Sequence, residues 1–467
     1  MLVQFTVENF RSFRDKTTFS MAAIKDDQRH PDHLIADDSS KVPTLLRAAA
    51  IYGANASGKS NVVKAIQFAQ NLIIKGTRSN KTIPISPYKL DTPTMRPSRF
   101  EFIFAHEGVL YSYGFVLTSS HILEEWLYAT PNKKELRYFE RITDGDKVKV
   151  EFGATFSGKG QEQKLFLSFV AKGTRPNQLF LTEAVDRNVA QILPIYQWFK
   201  DVLIVIPADS ESAALEHYIH TRSKLTDFLG TFLRAAGTGI DGLTTEEVEA
   251  NFEQYFPGMP EEYKDKLLQQ ASELGDRGGL LIHTPEGDRY LITHGSEGQI
   301  AFIRLLTQHR TSDNRLVKFD IDEESDGTQR LMHLTPALFS LKQARERVFI
   351  IDELDRRLHP LLSRLFLQTA LDCEDHANKG QLIFTTHETS LLDLDILRRD
   401  EIWFVEKDLS GASHMYSLAE FKIRPDLKIE KGYLNGRFGA IPFIGDICNL
   451  GWVPSDQKTS AASGEER

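Results

Sequence analysis

The chain has little cysteine, no long apolar run and no excess of positive charge. Its two cysteines, Cys373 and Cys448, stand far apart without metal-ligand spacing. Neither a disulfide framework nor a zinc motif organises the fold, and a reducing compartment fits. No hydrophobic stretch approaches the roughly 20 residues that span a bilayer. The start, Met1-Leu2-Val3-Gln4-Phe5-Thr6, alternates like a strand and lacks the apolar centre of a signal peptide. These absences point to the cytoplasm and away from a membrane partner. With 65 acidic against 56 basic residues the net charge is −9, which argues against a surface broadly built for nucleic acid but not against a local basic stripe. Internal repeats and the sustained heptads of a long coiled coil are missing as well. The 467 residues, 41% hydrophobic and 26% charged, suffice for two or three domains around a large core.

What is present is organised around Gly53-Ala54-Asn55-Ala56-Ser57-Gly58-Lys59-Ser60, which matches the phosphate-binding pattern G-x-x-x-x-G-K-[S/T] at every fixed position. The two glycines let the backbone curl so that successive N–H groups point at phosphate oxygens. Lys59 would reach the β- and γ-phosphates of ATP, and the Ser60 hydroxyl would hold Mg²⁺. The flanks agree. The run from Leu45 to Tyr52 is uncharged apart from Arg47, as in a buried strand, and Val62, Ile66, Ala69 and Ile73 recur at helical spacing. A triphosphate would then sit on a helix N-terminus, with Asn61 next in the contact set. The competing reading is a Gly/Ser turn that matches by chance.

Along the chain, residues 2–21 alternate as a β-hairpin around Arg14-Asp15-Lys16, and residues 25–44 read as a polar loop. Residues 100–104, 110–117 and 147–152 read as strands of one antiparallel sheet. Their aromatics read as core, because Glu101, Glu107, Glu124 and Glu125 stand where a base-stacking surface would carry Lys or Arg. Residues 160–310 read as mostly helical. Within them are a strand at 202–207, helical spacing over 210–234 and 244–274, and a hairpin around Pro285-Glu286-Gly287-Asp288. Without heptads such a segment can form only a short arm. Residues 455–467 are polar and read as a disordered tail.

A second set of motifs follows. Ser325 and Gly327 open a helical pattern with Leu331, Leu334, Leu338 and Leu341 on one face, which is either an anion-binding helix start or an ordinary N-cap. Arg347-Val348-Phe349-Ile350-Ile351-Asp352-Glu353 reads as a buried parallel strand with carboxylates at its tip. There Asp352 would steady Mg²⁺ through water and Glu353 would orient and deprotonate the attacking water; the alternative is a polar strand end. Another apolar strand ends in His387, placed to hydrogen-bond a γ-phosphate from the side opposite Lys59, although a lone histidine is more often structural. Residues 402–405 supply a last core strand.

Taken in order, these motifs and Leu354-Asp355-Arg356-Arg357-Leu358-His359-Pro360 resemble the heads of ABC-type ATPases of the chromosome-maintenance and recombination group. The resemblance implies an α/β P-loop head, a mixed sheet flanked by helices with an antiparallel β subdomain, interrupted by a mainly helical insertion. Its halves would be residues 1–155 and 311–454, with the insertion at 156–310 and the tail at 455–467. It implies that Arg11, in Asn9-Phe10-Arg11-Ser12-Phe13, lies against the nucleotide; an exposed turn arginine is the other reading. It implies that Ser325 and Gly327 form a divergent signature touching the γ-phosphate on the opposite subunit, with Glu324, Asp326 and a late Gln329 departing from the pattern. Asp352 and Glu353 become the Walker B acids, Asp355 a D-loop residue at the dimer seam, and His387 the switch histidine. No glutamine stands in a convincing Q-loop context. In such proteins ATP joins two heads and hydrolysis releases them.

Together with Tyr433-Leu434-Asn435-Gly436-Arg437-Phe438-Gly439-Ala440-Ile441-Pro442, the set is similar to stand-alone ATPases of bacterial anti-phage and abortive-infection loci, such as the ATPase components of the PARIS and Septu systems and AbiL-type proteins. This resemblance implies a homo-oligomeric, toxin–antitoxin-like sensor that answers a phage-derived trigger. It would hold and release a separate Toprim- or HNH-type nuclease from a neighbouring gene, since no nuclease constellation is visible in this chain. Residues 422–437 carry five basic against two acidic side chains, a solvated face more readily than a nucleic-acid patch. A DNA-repair ATPase that binds DNA ends or gaps is the alternative, and a free-standing hydrolase the third reading; salt-sensitive stimulation by DNA would favour repair.

Overall fold

The motif-bearing strands are short and apolar on both faces, the composition of parallel strands buried between two layers. In the computed structural model, which describes residues 1–36, 42–91, 96–132, 134–145, 147–158, 160–209, 215–274, 279–284, 289–294, 300–343, 345–372, 379–423 and 428–442, these strands form one six-stranded sheet. Ala48–Tyr52 lies inside it. On one side it pairs in parallel with Gly380–Thr385, followed by Arg347–Ile351 and, at the edge, Leu203–Ile206. On the other side come Ile402–Lys407, also parallel, and the antiparallel Ser413–Ser417. The parallel strands therefore end on one side, and the P-loop, the Asp352-Glu353 pair and His387 all leave from that side.

Burial on both faces is visible residue by residue. Ala49 and Ile51 enter one core with Val348, Ile350 and Ile383, whereas Ala48, Ala50 and Tyr52 enter the other with Phe349, Leu382 and Phe384. The first core also takes in the P-loop helix, Lys59–Lys75, through Val62, Ile66, Ala69 and Ile73. It is covered by a seven-stranded antiparallel sheet in the order Lys147–Phe152, Lys134–Asp144, Ile122–Asn132, Val109–Leu117, Ser98–His106, Leu2–Glu8 and Thr17–Ser20. The N-terminal hairpin thus joins the aromatic strands in one sheet. Phe100, Phe102 and Phe104 are fully buried, and Phe104 stacks on Trp198 with ring centroids 4.1 Å apart. The second core is closed by Ser223–Ala235, Asp326–Leu341 and Pro360–Leu371.

Two parts of the chain differ from the expectation of a mainly helical segment over 156–310. Leu203–Ile206 is the edge strand of the central sheet, paired with Arg347–Ile351, so this stretch contributes to the head itself. Further on, Ile240–Glu249 is a strand that pairs antiparallel with Ile300–Arg310, where a helical period over 244–274 was expected. β-Branched Thr244, Thr245 and Val248 suit a pleated surface, and helix follows only after this strand, as one turn at Phe252–Tyr255 and then Glu261–Leu274. Leu280–His283 and Arg289–His294 pair as the expected hairpin; its turn, 285–288, lies outside the described residues. A local core of Phe252, Phe256, Tyr290 and Phe302 holds this sheet. Both cysteines and the 455–467 tail also lie outside the described residues. No described helix is long and apolar enough to cross a membrane.

Phe104→Ala removes the ring that packs on Trp198 and Tyr111. The expected cost is about 3–5 kcal/mol, the usual range for truncating a buried phenylalanine, read as a lowered denaturant midpoint. An unchanged midpoint would show that this sheet is not part of the cooperative core.

Candidate nucleotide site

The loop after Tyr52 is forced into shape by what surrounds it. Gly53 (φ 158°) and Gly58 (φ 118°) adopt backbone angles that side chains disfavour. A Cβ on Gly53 would lie 2.2 Å from the Val405 carbonyl oxygen, and one on Gly58 would lie 2.3 Å from Ser413 Oγ and 2.8 Å from Ser12 Oγ. Ala56, at the loop crest, sits at φ 61° despite its Cβ, a conformation costing about 1–2 kcal/mol that persists only where the surroundings impose it. The helix opens at Lys59 without a side-chain cap. Among the described residues, the N–H groups of Gly58, Lys59 and Ser60 carry no hydrogen bond, leaving orphan donors at a positive helix end. That is the arrangement a phosphate completes.

Lys59 is 5% exposed, and its Nζ donates to the carbonyls of Gly53 (2.8 Å) and Ala54 (3.1 Å). It lies 3.5 Å from His387 Nδ1. Burial lowers its ammonium to about 8, against the attraction of Asp355, Glu353 and Asp352. Burial and then Lys59 also hold His387 below the ordinary imidazole value, so its ring is neutral at pH 7.

The carboxylates are braced by a residue that motif reading passed over. Thr385, the last residue of the strand leading to His387, donates its hydroxyl to Asp352 Oδ1 (2.6 Å) and accepts from the Glu353 N–H (2.7 Å). Its carbonyl accepts from Leu354 N at 3.0 Å. Asp352 is buried, with Oδ2 left for a second partner; with Ser60 it forms the oxygen donor pair that could hold Mg²⁺. Glu353 stands at φ 49°, and its carboxylate faces Arg356 at 3.8 Å. Arg356 also pairs with Asp209, just past the edge strand. Arg330, buried in the helix that follows Ser325, donates to the backbone carbonyls of Asp352 (3.3 Å) and Glu353 (3.4 Å).

The remaining expected residues fall as follows. Asn55 is exposed at the loop crest, and Asn61 Nδ2 donates to Ser12 Oγ at 2.7 Å. Ser413 Oγ donates to the Ser57 carbonyl (2.6 Å) and lies 2.8 Å from Ser12 Oγ, so the N-terminal turn is fastened to the P-loop through Ser12. Arg11, next to it, is exposed at φ 52°, with its N–H on the Ser86 carbonyl. Asp355 accepts from the His387 N–H at 3.2 Å, fixing the switch residue within its own chain. Ser325 caps its helix through Thr328 N (3.2 Å), and Gly327 is pressed to the Arg357 carbonyl, where a Cβ would lie 2.7 Å away. Among the described residues neither hydrogen-bonds the P-loop, and Ser325 is exposed. Ser12 and Thr385 carried a sequence signal only as neighbours of named motifs; Ser413 and Asp209 carried none.

With that geometry in view, the family described as "AAA domain, putative AbiEii toxin, Type IV TA system" matches residues 48–393, from the P-loop strand to beyond His387. The chain belongs to this family. Among solved structures it is similar to the SMC head domain from Thermotoga maritima, at 12% identity and TM-score 0.36 over 90% of this chain and 99% of that one. It is also similar to an SmcHead bound to the C-winged helix domain of ScpA, at 12% identity and TM-score 0.41 over 92% and 99%. Likeness at that level says nothing of activity or partners. No curated protein matches the chain. As a member of the AAA-domain family, the protein carries the family's P-loop on the strand where the match begins.

Two outcomes follow from these contacts. Phosphate charge raises a lysine pKa. Above about pH 8, ATP binding is therefore expected to take up protons, and affinity to fall as pH rises toward the ordinary lysine value of 10.5; calorimetry at pH 8.5 in buffers of differing ionisation enthalpy reads this directly, and identical heats would contradict it. Thr385→Val keeps shape but removes both braces, and turnover is expected to drop about 10–100-fold, as when a group orienting a metal-bound carboxylate is lost; an unchanged rate would show the braces are dispensable.

Proposed function

We propose that the chain is the ATP-binding and ATP-hydrolysing subunit of a bacterial anti-phage system, of the abortive-infection kind, that holds a separate effector nuclease and releases it when a phage component is sensed. The observation that carries the ATPase reading is the convergence of Lys59, Asp352, Glu353 and His387 at the C-terminal side of adjacent parallel strands, where ligands of open α/β sheets bind. In this reading Lys59 and the free amides of Gly58, Lys59 and Ser60 take the β- and γ-phosphates. Ser60 and Asp352 would hold Mg²⁺, which would supply charge neutralisation at the phosphates. Glu353 takes the proton of the attacking water. The neutral His387 ring holds the γ-phosphate from the far side, its backbone fixed by Asp355.

The exposed helix start at Ser325 and Gly327 supports a site completed across two copies of the chain: among the described residues the amides of Asp326 and Gly327 carry no hydrogen bond and are open to a nucleotide held by another subunit. The family description joins an AAA domain to a putative toxin and a type IV toxin–antitoxin system, which supports the defence reading. A separate partner nuclease is what the resemblance to stand-alone defence ATPases implies.

The test is native mass spectrometry of Glu353→Gln expressed with its genomic neighbours in ATP and Mg²⁺, beside Lys59→Ala. Glu353→Gln is expected to retain ATP in a homo-oligomer carrying a second polypeptide, whereas Lys59→Ala should bind no nucleotide. A bare dimer holding nucleic acid would move the protein to the repair class, and wild-type hydrolysis by Glu353→Gln would remove Glu353 as the base.

A further inference from the structure

Away from the nucleotide site, the short turn Pro31–His33 gathers three metal-binding side chains. One ligand atom from each of His30, Asp32 and His33 can be chosen so that all lie within 4.8 Å of one another, the one such group among the described residues. We propose that these three side chains bind a divalent transition metal, zinc being the ion that suits two imidazoles and a carboxylate.

The second observation is how each imidazole is held. His33 is 4% exposed, and its Nδ1 donates to the fully buried Glu401 carboxylate at 3.0 and 3.1 Å. Its Nε2 is thereby left as the lone-pair nitrogen, 3.9 Å from Asp32 Oδ2. His30 Nε2 donates to the Leu394 carbonyl at 2.9 Å, leaving Nδ1 as its lone-pair nitrogen. A carboxylate or backbone carbonyl on the far ring nitrogen is the support that metal-ligating histidines carry, because it fixes tautomer and orientation and raises basicity.

The backbone between the ligands is also fixed. Arg47 donates from its N–H to the His33 carbonyl and from Nε to the Asp32 carbonyl, both at 2.9 Å. A tetrahedral ion needs ligand atoms about 3.3 Å apart, from zinc–nitrogen bonds of about 2.0–2.1 Å. Closure from 4.8 Å falls to Asp32, whose side chain is 53% exposed, and to the half-buried His30, whose ring lies stacked on His33 with centroids 4.7 Å and planes 17° apart and must turn out of that stack for its lone pair to meet the ion. The fourth position is open to water.

All three ligands come from the segment before the P-loop strand; the stretch after His387 takes part only through the Leu394 carbonyl and the Glu401 carboxylate on the far ring nitrogens. The same two pieces are already joined by Ile24 N to Asp400 Oδ2 (2.8 Å), Arg399 N to Asp27 Oδ2 (3.1 Å) and Arg398 to the Arg29 carbonyl. The ion would fix the conformation of this turn, and no residue of the nucleotide site takes part.

The test titrates the chelator-stripped full chain with cobalt(II), followed by displacement with zinc. One equivalent is expected, with the visible absorption of a four- or five-coordinate site, and magnesium should not compete. Asp32→Asn and His30→Gln, both at accessible side chains, are each expected to weaken binding at least tenfold while the far-ultraviolet dichroism and ATP binding stay unchanged. His33 is left intact, because its removal would strand the Glu401 carboxylate. Absence of stoichiometric binding, or equal binding by both variants, would overturn the site.

Discussion

With the side chains of Ala48–Tyr52 packed on both faces, the strand has no room for a charged group along its length, and its chemistry collects where it ends. In Arg347–Ile351 and Gly380–Thr385 beside it the middle residues are likewise apolar, with Arg347 and Gln381 at the starts and Thr385 at the end. Parallel pairing sets those ends side by side, so a lysine, two acids and a histidine remote in sequence become neighbours. The second layer is what makes this stable: helices on one face and the aromatic sheet on the other remove from water the apolar surface that a parallel sheet cannot leave exposed.

The site that results is electrostatically unfinished. Lys59 is buried against two backbone carbonyls, and the amides that open its helix have no partner among the described residues. Donors of this kind, kept out of water and fixed by the fold, cost stability until an anion meets them. Strain gathers in the same place, at Ala56 and Glu353, and Gly58 has no space for a side chain between Ser12 and Ser413. Local cost and tight clamping together are what a preorganised phosphate site requires. Arg330 ties the helix behind Ser325 to the carbonyls of both acids, so a contact made by another subunit at that helix start has a mechanical route to Asp352 and Glu353.

The legible parts of the sequence were contiguous ones. The P-loop, the Asp352-Glu353 tip and His387 each sit within a few residues of their own strand, and their period and end residues give them away. Thr385, Ser12, Ser413 and Asp209 were not legible as site residues, because each acts through a partner tens to hundreds of residues distant that only the fold supplies. Misreading 244–249 as helix has a local cause: apolar and polar residues there fit either period, and pairing with Ile300–Arg310 decides the outcome. The strands Ile122–Asn132 and Lys134–Asp144 were hidden by their charges, two of which, Glu125 and Arg141, are buried as an ion pair on the inner face.

The most direct test of a composite ATP site is complementation. Lys59→Ala and Ser325→Asp chains, each inactive alone, are mixed and the Mg²⁺-dependent release of phosphate is compared with that of wild type; aspartate keeps the helix cap while setting a negative charge against a phosphate. If Lys59 acts within its own chain and Ser325 on the neighbour's nucleotide, mixed oligomers contain intact sites and the mixture regains a substantial part of the wild-type rate. A mixture as silent as its components, beside an active wild type, would place both residues in one self-contained site and contradict the shared one.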